Sequence, residues 1–151
     1  MTAETPSPIG RVQARQGEIL RRWGPIPLDP VTLSRFDEAE GWPTARGDGA
    51  VSPAILLQLG NPPVDVHHDR RPHETIDPGL KNPINGGTAV WWNRPVRAGE
   101  IVTGEVSIKT AFARPGKAGP LGFVVVQTVF LDADAAQIGR AEKTIIFREG
   151  A

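Results

Sequence analysis

The chain contains no cysteine. That excludes disulfides, thiolate catalysis and cysteine-based zinc sites. Charge of one sign is missing too: 17 basic residues are matched by 17 acidic ones. A balanced chain lacks the basic footprint of a nucleic-acid binder. No uninterrupted apolar run is long enough to span a bilayer. Met1 to Gly10 lacks the charged-then-apolar order of a secretory signal. Together these absences predict a cytoplasmic protein with no nucleic-acid and no membrane partner.

What remains is a 151-residue chain, 39% hydrophobic, which suits one domain with one core. Its 17 glycines and 15 prolines are spread along the whole length. They punctuate short segments and favour many turns over long helices. The Pro- and Thr-containing stretch 1–11 reads as a disordered leader, and 12–151 as the domain. A short helix over Val12 to Trp23 is weakened by Gly17. Gly24-Pro25-Ile26-Pro27-Leu28 must be extended, because a proline disfavours helix in the residue before it.

Asp29-Pro30 opens a helix, with Asp29 as cap and Pro30 in the first turn. Leu33, Phe36 and Ala39 are spaced for its inner face, with Asp37, Glu38 and Glu40 on the other side. Gly41 can stop it. Ser52-Pro53 opens a second helix, closed by Gly60. Its residues Ile55, Leu56, Leu57 and Leu59 leave little polar face, so it is expected to be buried. Asn61 to Asn85 has no periodicity, carries five prolines and all three histidines, and reads as a long loop of functional length. After Gly86-Gly87 the period changes to that of strands: Thr88 to Val96, Ile101 to Phe112, Leu121 to Leu131 and Ile138 to Arg148, joined by turns. In Ile101 to Phe112 the alternation puts Val102, Val106, Ile108 and Phe112 on one face. An early strand near Ile26 completes the sheet. Helices followed by an antiparallel meander make an α+β fold.

Several pieces are similar to one family. They are Asn85-Gly86-Gly87, Trp91-Trp92, Arg94-Pro95-Val96-Arg97-Ala98-Gly99-Glu100, Gly119-Pro120-Leu121-Gly122-Phe123-Val124 and the closing Phe147-Arg148. With Phe36 to Gly41 and Val51-Ser52-Pro53-Ala54, they resemble the MaoC-like dehydratase N-terminal domain, also called the FAS1-like dehydratase domain. Its usual Arg-Pro-x-x-x-Gly-Asp turn has Glu100 at the last position here. The resemblance implies a single hot-dog fold, an antiparallel sheet wrapped around a central apolar helix. It also implies pairing with a second hot-dog subunit, as a hetero- or homodimer, and acyl-CoA or acyl-ACP thioester substrates of fatty-acid or steroid side-chain metabolism. No cofactor and no metal is expected.

Catalytic hot dogs of this superfamily carry an Asp-x-Asn-Pro-x-His motif after the first helix. Hydration of an enoyl thioester needs a base for water, an acid for the alpha carbon and donors for the enolate oxygen. Here Gly41 to Gly49 holds no histidine and only Asp48 as carboxylate. Asp65, His67 and His68 echo the catalytic composition, but they follow the apolar helix. They are either a displaced acid/base group or part of a solvated charged loop. A metal site from His67, His68 and His73 is disfavoured, since adjacent histidines do not share a face of an extended chain. Gly86 and Gly87 either let the backbone approach a thioester or form a bulge. Trp91 and Trp92 point to opposite faces; one packs in the core and the other lines either an acyl tunnel or the partner interface, with Trp92 as the substrate-contact candidate. Arg94 and Arg97 either meet carrier phosphates or lie plainly on the surface.

The expectation is therefore the non-catalytic, substrate-accommodating half of an (R)-specific enoyl-thioester hydratase or 3-hydroxyacyl-thioester dehydratase. The alternatives are a stand-alone hydratase or acyl-CoA thioesterase using the His67/His68 loop, and a non-enzymatic acyl-thioester binding module.

Overall fold

The computed structural model describes residues 6–40, 50–59 and 76–148. Among the described residues ten elements follow one another: α1 (Pro8–Gln13), β1 (Ile19–Pro27), α2 (Pro30–Glu40), β2 (Ala50–Val51), α3 (Ile55–Leu59), β3 (Ile84–Trp92), β4 (Val96–Arg97), β5 (Ile101–Gly116), β6 (Gly119–Leu131) and β7 (Gln137–Arg148). Five of the strands form one antiparallel sheet in the order β1-β5-β6-β7-β3, and β2 pairs with β4.

Both expected helices are present with their capping chemistry. The Asp29 carboxylate accepts the N–H and the hydroxyl of Thr32, and the Ser52 hydroxyl accepts the N–H of Ala54. Ile55 and Leu56 of α3 are buried with Leu28, Leu33, Val96, Val102, Phe130, Ile138 and Ala141. The sheet's inner face thus packs on the apolar helix, as in a hot dog. A second cluster, Ile9, Val12, Ile76, Leu80, Ile108, Ala111, Val124 and Phe147, fills the far end of the same face.

Four expectations need correction. Residues 6–11 are not a disordered leader: Ser7 caps α1, its hydroxyl accepting the Gly10 N–H, and Ile9 is buried over Gly122. Residues 19–23 are strand and not helix: they pair with β5 from Ile19 opposite Ser107 to Trp23 opposite Gly104, and the pairing resumes at Ile26 after an irregularity at Gly24-Pro25. The inner face of α2 is Leu33, Phe36 and Asp37, with Ala39 exposed; positions i, i+3 and i+4 share a face, so the acidic residue turns inward. Finally, a bulge between Ile108 and Thr110 reverses the alternation of β5. Ala111 then faces in, and Phe112 stacks outside on Phe123, ring centroids 5.0 Å apart.

The N-terminal helix is tied down by charge. Arg11 grips Asp77 through two hydrogen bonds of 2.8 Å, and the Gly79 N–H donates to the same carboxylate at 2.8 Å. Arg15 donates to the Ile76 carbonyl and pairs with Glu18. The Arg11 guanidinium, followed by the Gly79 N–H, holds the Asp77 carboxyl below its ordinary range. The folded carboxyl therefore releases its proton more readily than the unfolded one, whose value is about 3.9. Its stabilisation is whole above that value and drains away as the pH falls through the folded one. An Asp77→Asn variant should melt at lower temperature at neutral pH. Its melting temperature should also fall less steeply than the wild type's on going from about pH 5 to pH 3. Parallel slopes in thermal melts across that range would contradict this.

Candidate active site on the concave face

One register row crosses the whole sheet on its inner side. Trp23 of β1 is opposite Gly104 of β5, Gly104 opposite Phe130 of β6, Phe130 opposite Gly139 of β7, and Gly139 opposite Trp92 of β3. Large and small residues alternate strictly. The glycines are required by the rings: a Cβ on Gly104 would lie 1.9 Å from Trp23 Cε2, and one on Gly139 would lie 2.3 Å from Trp92 Cε3. The Trp23 and Phe130 centroids are 6.0 Å apart and those of Trp92 and Phe130 5.4 Å apart, both pairs tilted. Such spacings are in the favourable range for aromatic pairs. The result is an aromatic floor facing Leu33 and Phe36 of α2 and Ile55 and Leu56 of α3.

Two polar atoms interrupt this apolar region. Asp37 is 4% exposed, and its Oδ1 has no hydrogen-bond partner. The indole N–H of Trp23 is buried without a partner as well. Sequence reasoning missed both. A signal existed for the row in the mid-strand glycines Gly104 and Gly139, which mark close approach of a neighbour. For Asp37 the signal was its i+4 spacing from Leu33, which outweighs the expectation that an acidic residue takes the solvent side.

The other candidate residues sit at the β3 side. Gly86 lies at a bulge in β3 between Asn85 and Gly87, where a Cβ would come within 3.1 Å of Thr144 and Ile146. Gly87 has φ +112° and donates its N–H to Asn85 Oδ1 at 3.0 Å. Trp92 is half-buried in the aromatic floor, while Trp91 is on the outer face, 41% exposed, with the Arg140 guanidinium 4.1 Å over its ring. Arg94 is 2.7 Å from Glu100 and 3.2 Å from Asp132. The first and last residues of the Arg-Pro-x-x-x-Gly-Glu turn thus pair with each other, and Asp132 joins that turn to the β6–β7 hairpin. The N–H of Ala136, then Arg94 and the N–H of Asp134, hold the Asp132 carboxyl below its ordinary range. Glu100 also accepts the Arg97 N–H at 2.6 Å. Asp65, His67, His68 and His73, with Asp48, lie outside the described residues. Among the described residues no three metal-ligating side chains come together, and no helix is long and apolar enough to cross a membrane.

The sheet, the buried helix and the aromatic concave face define a hot-dog domain. The chain belongs to the FAS1-like dehydratase domain region family, which matches residues 51–140, more than half of its length. No curated protein matches it. Solved structures show the same fold at low identity. The ChsH1-ChsH2 complex from Mycobacterium tuberculosis is 14% identical with a TM-score of 0.61, covering 95% of this chain and 90% of that one. C-terminally truncated HadBC, a 3R-hydroxyacyl-ACP dehydratase complex from the same organism, is 16% identical with a TM-score of 0.60, covering 87% and 96%. A further Mycobacterium tuberculosis protein, with a double hotdog fold, is 12% identical with a TM-score of 0.55, covering 89% of this chain and 42% of that one.

Proposed function

We propose that this chain is the substrate-accommodating half of an (R)-specific enoyl-thioester hydratase, or 3-hydroxyacyl-thioester dehydratase, working in the cytoplasm. The observation that carries the reading is the aromatic floor. An apolar concave face lined by Trp23, Phe130 and Trp92 is suited to an acyl chain and carries no histidine among the described residues. The acid and base of the reaction then come from a second hot dog. Two of the solved structures with this fold, ChsH1-ChsH2 and HadBC, are complexes, which favours such a partner.

The free edge of β3 is the proposed seam. Among the described residues β3 pairs only with β7. Its Ile84, Val90 and Trp91 are exposed apolar residues, and an edge of that kind invites another strand. Joining two hot dogs there would place Trp92 and the Gly86-Gly87 bulge beside the seam, with the acyl group lying along the floor and its thioester carrier entering past Gly87. The partner's base and acid would then act on the alpha carbon and the hydroxyl.

Enoyl-CoA hydration measured on the chain alone and with a catalytic hot-dog partner tests this. The chain alone should be inactive and the pair active. In the active pair, Trp92→Leu should lower kcat/KM about tenfold for an eight-carbon substrate and much less for a four-carbon one, since only the longer chain reaches the floor. Full activity of the isolated chain, lost in His68→Ala, would instead establish a stand-alone enzyme. Release of free thiol from acyl-CoA would make it a thioesterase. Binding without turnover in any combination would make it a binding module.

A further inference from the structure

The alternation of β7 puts one charged side chain where an apolar one is expected. Lys143 is opposite Val126 of β6 and Thr88 of β3, and Val126 is opposite Ile108 of β5. Ile108 is buried in the second core cluster, and Val126 packs against it. Directly opposed residues share a face, so Lys143 and Thr88 lie on the concave side. The other charged residues of β5 and β7 fall on the outer rows or, as Lys109 does, pair with one that does. Lys143 is exposed, and no ion pair among the described residues includes it. Arg94, by contrast, is committed to Glu100 and Asp132, and Arg140 lies beside Glu142.

The row of Lys143 and the next one, Val106, Thr128, Ala141 and Val90, lie where the two core clusters meet. Ala141 belongs to one cluster and Ile108 to the other. Toward β3 this part of the concave face is open, since Thr88 and Val90 are exposed. An open strip therefore runs along β3 from Trp92, at the end of the aromatic floor, to Thr88 and the Gly86-Gly87 bulge. Trp92 and Thr88 are four residue steps apart, about 13 Å at the rise of a strand. Lys143 stands beside the far end of that strip, one strand in from the open edge.

We propose that Lys143 binds the phosphate at the head of the carrier's phosphopantetheine arm. The proposal rests on the acyl-thioester reading and adds to it where the carrier is held and by which charge. With the acyl group on the floor and the thioester at its Trp92 end, the arm runs along β3 and meets Lys143 where it leaves past Gly87. An ammonium is a compact charge with three donors, suited to a phosphate, and the Thr88 hydroxyl in the same row adds another donor. A concave apolar surface strengthens the field of a lone cation. The phosphate joined to pantetheine is common to coenzyme A and acyl carrier protein, so the site serves either carrier.

The test uses the full chain in the assembly in which it purifies, with binding followed by calorimetry. The probes are octanoyl thioesters of pantetheine, of phosphopantetheine and of coenzyme A, which add first the arm phosphate and then the nucleotide. The phosphopantetheine thioester should bind about tenfold tighter than the pantetheine one, the gain of a charge-assisted contact. Lys143→Met should remove that difference, weaken octanoyl-CoA about tenfold and leave the pantetheine thioester unchanged. Lys143→Arg should keep most of the difference. The melting temperature of ligand-free Lys143→Met should match the wild type's, because the side chain is exposed and unpaired. Equal binding of the three probes to the wild type, or equal weakening of all three by Lys143→Met, would overturn the phosphate site and leave the thioester reading standing. Weakening of octanoyl-CoA alone would move the contact to the nucleotide and overturn the assignment to the arm. A clear fall in melting temperature for Lys143→Met would show a structural ion pair and overturn the site whatever the probes do. Binding of no probe by the wild type would overturn the thioester reading and the site with it.

Discussion

A Val90→Pro variant is expected to fold, and to lose the proposed hot-dog partner together with the hydratase activity proposed for the pair. The expectation follows from the direction of the peptide groups in β3. Asn93 donates its N–H to the Ile138 carbonyl at 2.9 Å, and the antiparallel register continues with Trp91 opposite Arg140 and Ala89 opposite Glu142. Alternate residues of a strand turn their N–H and C=O to opposite sides. Trp91 and Ala89 therefore bond to β7, while Thr88, Val90 and Trp92 present theirs at the open edge. Proline at 90 removes a donor that the domain itself does not use, the situation in which an edge strand accepts proline. It removes a donor that an added strand does need, and its ring projects into the seam. Trp91→Pro is the contrasting variant: it deletes a bond within the sheet and should cost about 2 kcal/mol or more of folding stability. Sedimentation velocity with far-ultraviolet circular dichroism separates the two outcomes. A Val90→Pro protein that still sediments as the wild-type assembly would remove β3 as the seam.

Gly104→Ala is expected to destabilise the fold by about 3 kcal/mol, a large effect for one methyl group on an exchange that often stabilises. The added Cβ would stand 1.9 Å from Trp23 Cε2 and 2.2 Å from its Nε1. The indole is a rigid plane, so it must leave its place over β5, which separates it from Phe130. The prediction is made specific by a double-mutant cycle. In a Trp23→Ala background nothing stands over Gly104, and Gly104→Ala should then be close to neutral, giving a coupling of about 2–3 kcal/mol. Urea denaturation of the four proteins measures it. Additive effects would mean that the glycine is present for its backbone and not for the ring.

How far the sequence discloses this molecule depends on which interactions decide each part. Strands β6 and β7 and the capped starts of α2 and α3 are local matters of period and capping, and they are legible. The bulge that turns Phe112 outward is not, because it is an extra residue relative to a partner strand, and periodicity read on one strand cannot register it. The helix α1 carried its own signal in Ser7-Pro8, obscured by the surrounding glycines and prolines; Ile9 and Val12 hold it through a tertiary contact with the far end of the sheet. The aromatic row is intermediate. Each glycine is visible in the sequence, but its meaning depends on alignment across five strands. Gly86, Gly87, Trp92 and Arg94 are candidates on sequence alone. The structure brings Trp92 into the floor and places Arg94 in an ion-pair clamp at the turn. The Asp65, His67 and His68 proposal lies outside the described residues. Asp37 reads as a polar-side residue because acidic residues in a helix are most often solvated, and only burial distinguishes it from Glu38.

The strand order has a consequence for how the chain reaches this state. β5, β6 and β7 are neighbours in sequence as well as in the sheet, and their hairpins close over short turns. The outer strands do not: β1 must cross from residues 19–27 to 101–107, and β3 from 84–92 to 139–146. Contacts of short sequence separation form at small entropic cost and long ones late. The meander is thus the expected early structure, with β1 and β3 arriving afterwards as its two margins. Trp23, Trp91 and Trp92, the three tryptophans among the described residues, all ride on those margins. In a Trp42→Phe background, tryptophan emission in a refolding experiment should therefore lag behind the far-ultraviolet signal of the sheet, reporting the closing of the edges over a centre already assembled.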